Sequence, residues 1–166
     1  MFEHTEVTNP QALFAHKLGA ALTMERTIVG MLEKLIDEAR SSQLKQDLRT
    51  HYEETQAHVR NLEQVFTSLG LEIQTQPCPA IDGIEREGET NLKLTGESLK
   101  DDVILAGCSE TEHHEISVYE NLITHADAMG HVDVVALLHE NLEQEQATLG
   151  KVMKAALRSA QEKAAV

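Results

Sequence analysis

Glu25, Glu54, Glu115 and Glu145 fall near the middles of four long helical patterns, and their spacing repeats: 29 positions separate the first pair and 30 the second. Two copies of one helical hairpin give such intervals when each arm places a carboxylate at the same height. Carboxylates stacked at one level inside a helical bundle can hold a pair of bridged metal ions. A lone Glu beside an apolar stripe is ordinarily a surface residue. Four at matched heights are what carries the reading.

Residues three or four apart share a helix face, whereas neighbours do not. His51 and Glu54 therefore share one face, as do Glu112 and Glu115, and Glu25 and Glu145 contribute singly. These six candidate ligands suffice for two metal ions with positions left open for water or oxygen species. Five buried carboxylates without partners would cost several kcal/mol each, or would rise in pKa until they took protons. Two divalent cations offset four of the five charges. Oxygen-rich coordination with little nitrogen and no sulfur favours iron, or manganese, over zinc.

His58, four residues after Glu54, is either a seventh ligand or a hydrogen-bonding partner behind one. His113 and His114 flank Glu112 and cannot both face the site; each reads as a supporting or surface residue. His4, His16, His125, His131 and His139 read as surface histidines. Tyr119, one turn beyond Glu115, either hydrogen-bonds into the site or is plain core.

The elements that must position these residues are legible from caps and stripes. Asn9 before Pro10 starts helix one, which runs to about Ala39 with Leu18, Leu22, Val29, Leu32 and Ile36 as its apolar stripe. Helix two follows Ser41 and Ser42, carries Leu44, Leu48, Val59, Leu62 and Phe66, and closes at Gly70. The Gly70 to Gly96 segment, with Pro77 and Pro79 and a short helix expected from about Ala80 to Leu94, reads as a long crossover that lets helix three start at the same end as helix one. Ser98 and Asp101 mark the start of helix three, with Ile104, Cys108, Ile116, Tyr119 and Leu122 inside and Gly130 at its close. Helix four carries Val134, Val135, Leu138, Leu142, Leu149 and Val152, with Gly150 expected to loosen its later turns. The expected fold is all-α: one ferritin-like four-helix domain spanning residues 1–166.

Composition narrows the function classes. A net charge of −14 offers no electrostatic footprint for nucleic acid or anionic membranes. With no apolar run of spanning length and no basic or apolar leader at the N-terminus, a cytoplasmic protein is expected. Cys78 and Cys108, 30 positions apart, suggest neither a disulfide framework nor a thiolate metal knot.

At these residues the sequence resembles the YciE/YciF-type ferritin-like stress proteins of bacteria. The likeness lies in Met24-Glu25-Arg26, His51-Tyr52-Glu53-Glu54-Thr55, Leu62-Glu63-Gln64-Val65-Phe66, Cys78-Pro79-Ala80-Ile81-Asp82-Gly83-Ile84, Glu112-His113-His114-Glu115-Ile116 with Tyr119, and Leu142 to Thr148. It covers about residues 11 to 160. The resemblance implies a four-helix bundle, often a homodimer, with a di-iron or dimanganese centre whose acidic ligands correspond to Glu25, Glu54, Glu112, Glu115 and Glu145. The wider rubrerythrin-like group carries a Glu-x-x-His in helices two and four; here those histidine positions are Ala57 and Thr148, and His51 stands as a replacement for one. The family's lysine after the helix-four glutamate is Gln146, and its helix-three tyrosine is His114.

Three functions remain. A reduced dinuclear centre would react with peroxide or oxygen, and with too few cysteines for a rubredoxin-type domain it would need an external electron donor. The bundle could instead sequester iron without catalysis, or be a metal-free structural bundle that dimerises.

Overall fold

Asn9 accepts a hydrogen bond from the Ala12 N–H at 2.8 Å and Pro10 fills the first turn, so the first helix begins where the sequence places it. In the computed structural model, which describes residues 6–165, the elements are α1 (Pro10–Glu38), α2 (Ser42–Ser68), α3 (Pro79–Leu94), a 3₁₀ turn (Glu97–Leu99), α4 (Lys100–Ala128) and α5 (Val132–Ala164). Helices three and four of the sequence reading are α4 and α5. His4 lies outside the described residues.

The two hairpins, α1 with α2 and α4 with α5, pack so that α1 lies against α4 and α2 against α5, and α3 runs along the outside against α4 and α1. Gly70 and Gly130 close α2 and α4 at φ 66° and 77°. In each case the glycine N–H bonds three residues back and the next N–H five back, Leu71 to Phe66 at 2.9 Å and His131 to Ala126 at 3.0 Å. That is the Schellman arrangement, which needs the left-handed backbone glycine tolerates.

The crossover ends elsewhere than expected. α3 at 16 residues is about 24 Å long, enough to carry the chain back along the bundle, so α4 starts beside the end of α1 rather than beside its start. Asp101 accepts from the Arg40 and Ser41 N–H groups at 2.7 and 2.9 Å, and Lys100 reaches Glu38 at 2.7 Å. Asp101 therefore ties the α1–α2 loop. Neither it nor Ser98 caps its own helix, and the residue preceding α4, Leu99, makes no side-chain cap. The connector before α3 docks on α1 at Gly19, where a Cβ would lie 2.8 Å from Gln76 Cγ and 3.0 Å from the Gln74 carbonyl oxygen. Thr23 fixes that contact by donating to the Gln76 carbonyl at 2.7 Å.

The buried stripes also shift slightly. In α1 they run Phe14, Leu18, Leu22, Glu25, Ile28 and Leu32, leaving Val29 and Ile36 only partly covered. In α5 Thr148 takes the inward place and Leu149 is half-buried. α5 continues unbroken through Gly150 to Ala164. The interior is apolar above and below one polar layer, and that layer is the site.

Candidate metal centre

The polar layer is assembled from α1, α2, α4 and α5. Glu25, His51, His58, Glu112, Glu115 and Glu145 are all buried, none more than 6% exposed. They form two groups whose ligand atoms lie within 4.8 Å of one another: His51 with Glu112, Glu115 and Glu145, and Glu25 with His58 and Glu145. Glu145 belongs to both.

Of the six ligands expected from sequence, the structure brings together Glu25, His51, Glu112, Glu115 and Glu145. Glu54 stands apart. It is half-buried, 3.7 Å from His51 Nδ1 through its Oε2. At about 100° per residue, His58 lies about 20° from His51 around α2, whereas Glu54 lies about 60° away on the same side, towards the surface. The leucines Leu44, Leu48 and Leu62 define the inward direction on the other side. Their angle was readable from the sequence and favoured His58 over Glu54.

The two groups are held differently. Tyr119 donates from its hydroxyl to Glu25, and Asn141 Nδ2 donates to the Tyr119 oxygen at 3.0 Å and to the His58 carbonyl at 3.3 Å. Asn61 anchors Asn141 at 2.8 Å, and Gln144 Oε1 meets His58 Nε2 at 2.7 Å, which turns Nδ1 towards Glu145. Asn141, a polar residue in the Val134–Leu138–Leu142 stripe, was passed over in the sequence; its place in an apolar row was the available signal. By contrast, both oxygens of Glu115, Oε2 of Glu112 and Nδ1 of His51 have no hydrogen-bond partner. His51 Nε2 lies 2.9 Å from Glu112 Oε1.

Without a cation this layer is electrostatically costly, and the protons show it. Burial would strip the proton from His58, but Glu145 and Glu25 outweigh it and hold the ring's pKa at about 11. His51 is held at about 10 in the same way, by Glu112 and Glu54 against burial. Burial, then the neighbouring carboxylates, push Glu115 well above the usual carboxylate range, and Glu25 and Glu145 are raised chiefly by burial. Burial and Glu112 push the Cys108 thiol up to about 12. Tyr119 is pushed up by burial and by Glu25.

Of the nine buried polar side-chain atoms left without a partner among the described residues, eight belong to the six clustered residues. One is His58 Nδ1, which lies 2.7 Å from Glu145 Oε1 without the alignment of a hydrogen bond. Converging oxygen and nitrogen lone pairs of this kind suit a metal ion, and the buried His and Glu group can hold one. The remaining histidines fall outside: His113 is exposed and bonded to the Ser109 carbonyl at 2.7 Å, His16 and His139 are exposed, and His114, His125 and His131 are half-buried.

The family model described as a domain of unknown function, DUF892, matches residues 9–165. The chain belongs to that family. Protein YciF of Escherichia coli K12 is 30% identical over 154 residues, covering 92% of this chain and 93% of the relative. Among solved structures, the E. coli stress protein YciF has a TM-score of 0.89 at 28% identity over 93% of this chain and 99% of its own. YcfI of Rhodopseudomonas palustris, provisionally described as a structural protein, has a TM-score of 0.87 at 34% identity over 91% and 97%. A Xanthomonas campestris protein at 19% identity, TM-score 0.72, shares the fold. The recognition of the family and the all-α bundle from sequence therefore stand. No helix of the described residues is long and apolar enough to cross a membrane.

Proposed function

We propose that the protein is a dinuclear metal protein, iron preferred and manganese second, that reduces peroxide or oxygen with electrons from an external donor. The observation that carries it is the pair of buried ligand groups sharing Glu145. Four clustered carboxylates balance two divalent cations when both imidazoles are neutral, so a loaded site needs no further charge. A metal-free structural bundle would leave the eight unpartnered atoms buried, at about 1–3 kcal/mol each.

The metals would supply electrons, and a peroxide ROOH taking two electrons and two protons yields ROH and water. The chain's residues do the rest. Tyr119 orients Glu25, Gln144 sets the face His58 presents, and Asn141 braces both. The aliphatic layers on either side exclude water. We further infer a cytoplasmic homodimer, following the family resemblance.

Metal content per chain, after production with iron and manganese supplied, tests the reading. About two ions are expected, lost in Glu145→Ala and retained in Glu54→Ala. A well-folded protein that binds no metal would sink the proposal, and equal loss in both variants would return Glu54 to the ligand set.

A further inference from the structure

A cleft of about 230 Å³ opens between α2, α4 and α5 and ends at His51. Its walls are Leu48, Leu105, Val152 and Ala155, and its floor is His51 flanked by Cys108 and Thr148. His51 faces two ways: Nε2 meets Glu112 of the cluster, while Nδ1, buried and without a hydrogen-bond partner, lies 3.7 Å from Glu54 Oε2 on the other edge of the ring. Cys108 and Thr148 sit one helical turn from Glu112 and Glu145 respectively. The cleft therefore approaches the open ligand group and not the Tyr119-braced one.

Size, polarity and charge together define an occupant. The space is several times the roughly 30 Å³ of a water-sized molecule, and below the ~300 Å³ at which pockets for drug-sized ligands begin. Its walls are apolar, so the body of the guest is hydrocarbon. The rim bears Asp47 and Glu54 with Lys151, on a chain of net charge −14. Anionic molecules are repelled from such a surface, which disfavours carboxylates and favours a neutral guest. One unpartnered nitrogen at the floor calls for a single small polar head.

We propose that this cleft binds a short neutral alkyl chain with one small polar head, presented head-first to His51. Resting on the function proposed above, that makes the substrate an alkyl hydroperoxide in preference to hydrogen peroxide. The hydroperoxide takes two electrons and two protons to leave an alcohol and water, the electrons coming from two equivalents of an external one-electron reductant of the reduced iron–sulfur protein class.

The binding half is tested on the metal-free full-length protein with linear alcohols from butanol to hexanol, followed by methyl NMR shifts at Leu48, Leu105 and Val152. Saturable shifts are expected, tightening roughly three- to fourfold per added methylene, and abolished by Ala155→Phe. Val152→Ala, which enlarges the cleft, should extend the gain to longer chains. Shifts without chain-length dependence, or unchanged in both variants, overturn the site. In the metal-loaded protein, Ala155→Phe should lower the rate with hexyl hydroperoxide at least tenfold more than the rate with hydrogen peroxide; equal effects on both overturn the substrate class. Alcohol binding with no peroxide consumption by a fully loaded protein supports the cleft's ligand chemistry and sinks the peroxide reading.

Discussion

The two halves of the buried layer use the same residue types to different ends. Around Glu25 and His58 the polar atoms are half held from behind, by Tyr119, Asn141, Asn61 and Gln144, with Glu25 Oε2 and His58 Nδ1 left free. Around His51, Glu112 and Glu115 they are not, and a cleft approaches from outside. Hydrogen bonds behind a ligand fix its orientation, so the braced half is built for geometry. The open half keeps lone pairs free and lies on the side reached from solvent. On the function proposed, one half of the centre would hold the metal and the other would meet the substrate.

The sharpest way to break this comparison is to remove one ligand from each half. Glu25→Ala should leave about one metal ion per chain in the open group, and Glu112→Ala about one in the braced group, both read by elemental analysis. If either variant loses both ions, the halves are not separable. The next effect is smaller. Tyr119→Phe keeps the ring in the core but removes the hydroxyl that orients Glu25 and accepts from Asn141, and a loss of about 10–100-fold in metal affinity is expected. Titration against a chelator would measure it, with the open group's ion unaffected.

Protons distinguish the halves further. With no metal bound, His51 and His58 have pKa values of about 10 and 11, so both are protonated at neutral pH and each must lose its proton to ligate. Metal affinity should therefore rise with pH across the neutral range, by up to about tenfold per unit for each proton displaced. Glu115 in the open half is raised well above the carboxylate range, first by burial, and Glu25 in the braced half and the shared Glu145 are raised by burial as well. Calorimetry in buffers of different ionisation enthalpy should count more protons released than the two imidazoles supply, and Glu115→Gln should reduce the excess.

Much of this was legible in the sequence because helical periodicity is a strong signal. The caps at Asn9, Gly70 and Gly130, the short helix before α4, and the inward placement of Glu25, Glu115 and Glu145 all follow from local rules. The direction of α4 did not, because a crossover's span depends on whether its segment lies along the bundle or across its end. Glu54 was taken for a ligand by its hairpin interval, although the leucines of α2 point closer to His58. The bracing residues Asn141 and Gln144 were missed because their partners, His58 and Tyr119, come from other helices. The cleft is a property of how far helices stand apart, which no residue pattern states.

The smallest expected effect concerns the bundle end beyond the cleft. There α4 and α5 are tied at the surface: Asp102 accepts from Lys163 and, at 2.8 Å, from Ser159. Burial pushes the Asp102 carboxyl up, but those two hydrogen bonds outweigh it and hold its pKa below the usual value. A carboxylate whose pKa is lower folded than unfolded adds stability that is present above about pH 4 and is lost as pH falls through its folded value. The side chains of Asp102 and Lys163 are 28% and 38% exposed, so solvent screens the pair to roughly 0.2–1 kcal/mol. Asp102→Asn should accordingly lower Tm at neutral pH by no more than about 4 °C, less in 1 M salt, with the gap to wild type closing as pH falls through the folded pKa of Asp102. A much larger loss would mean that the open end of the bundle depends on this clamp rather than on Leu44, Leu48 and Leu105 beneath it. The contrast between a braced half and an open half would then extend from the ligands to the scaffold.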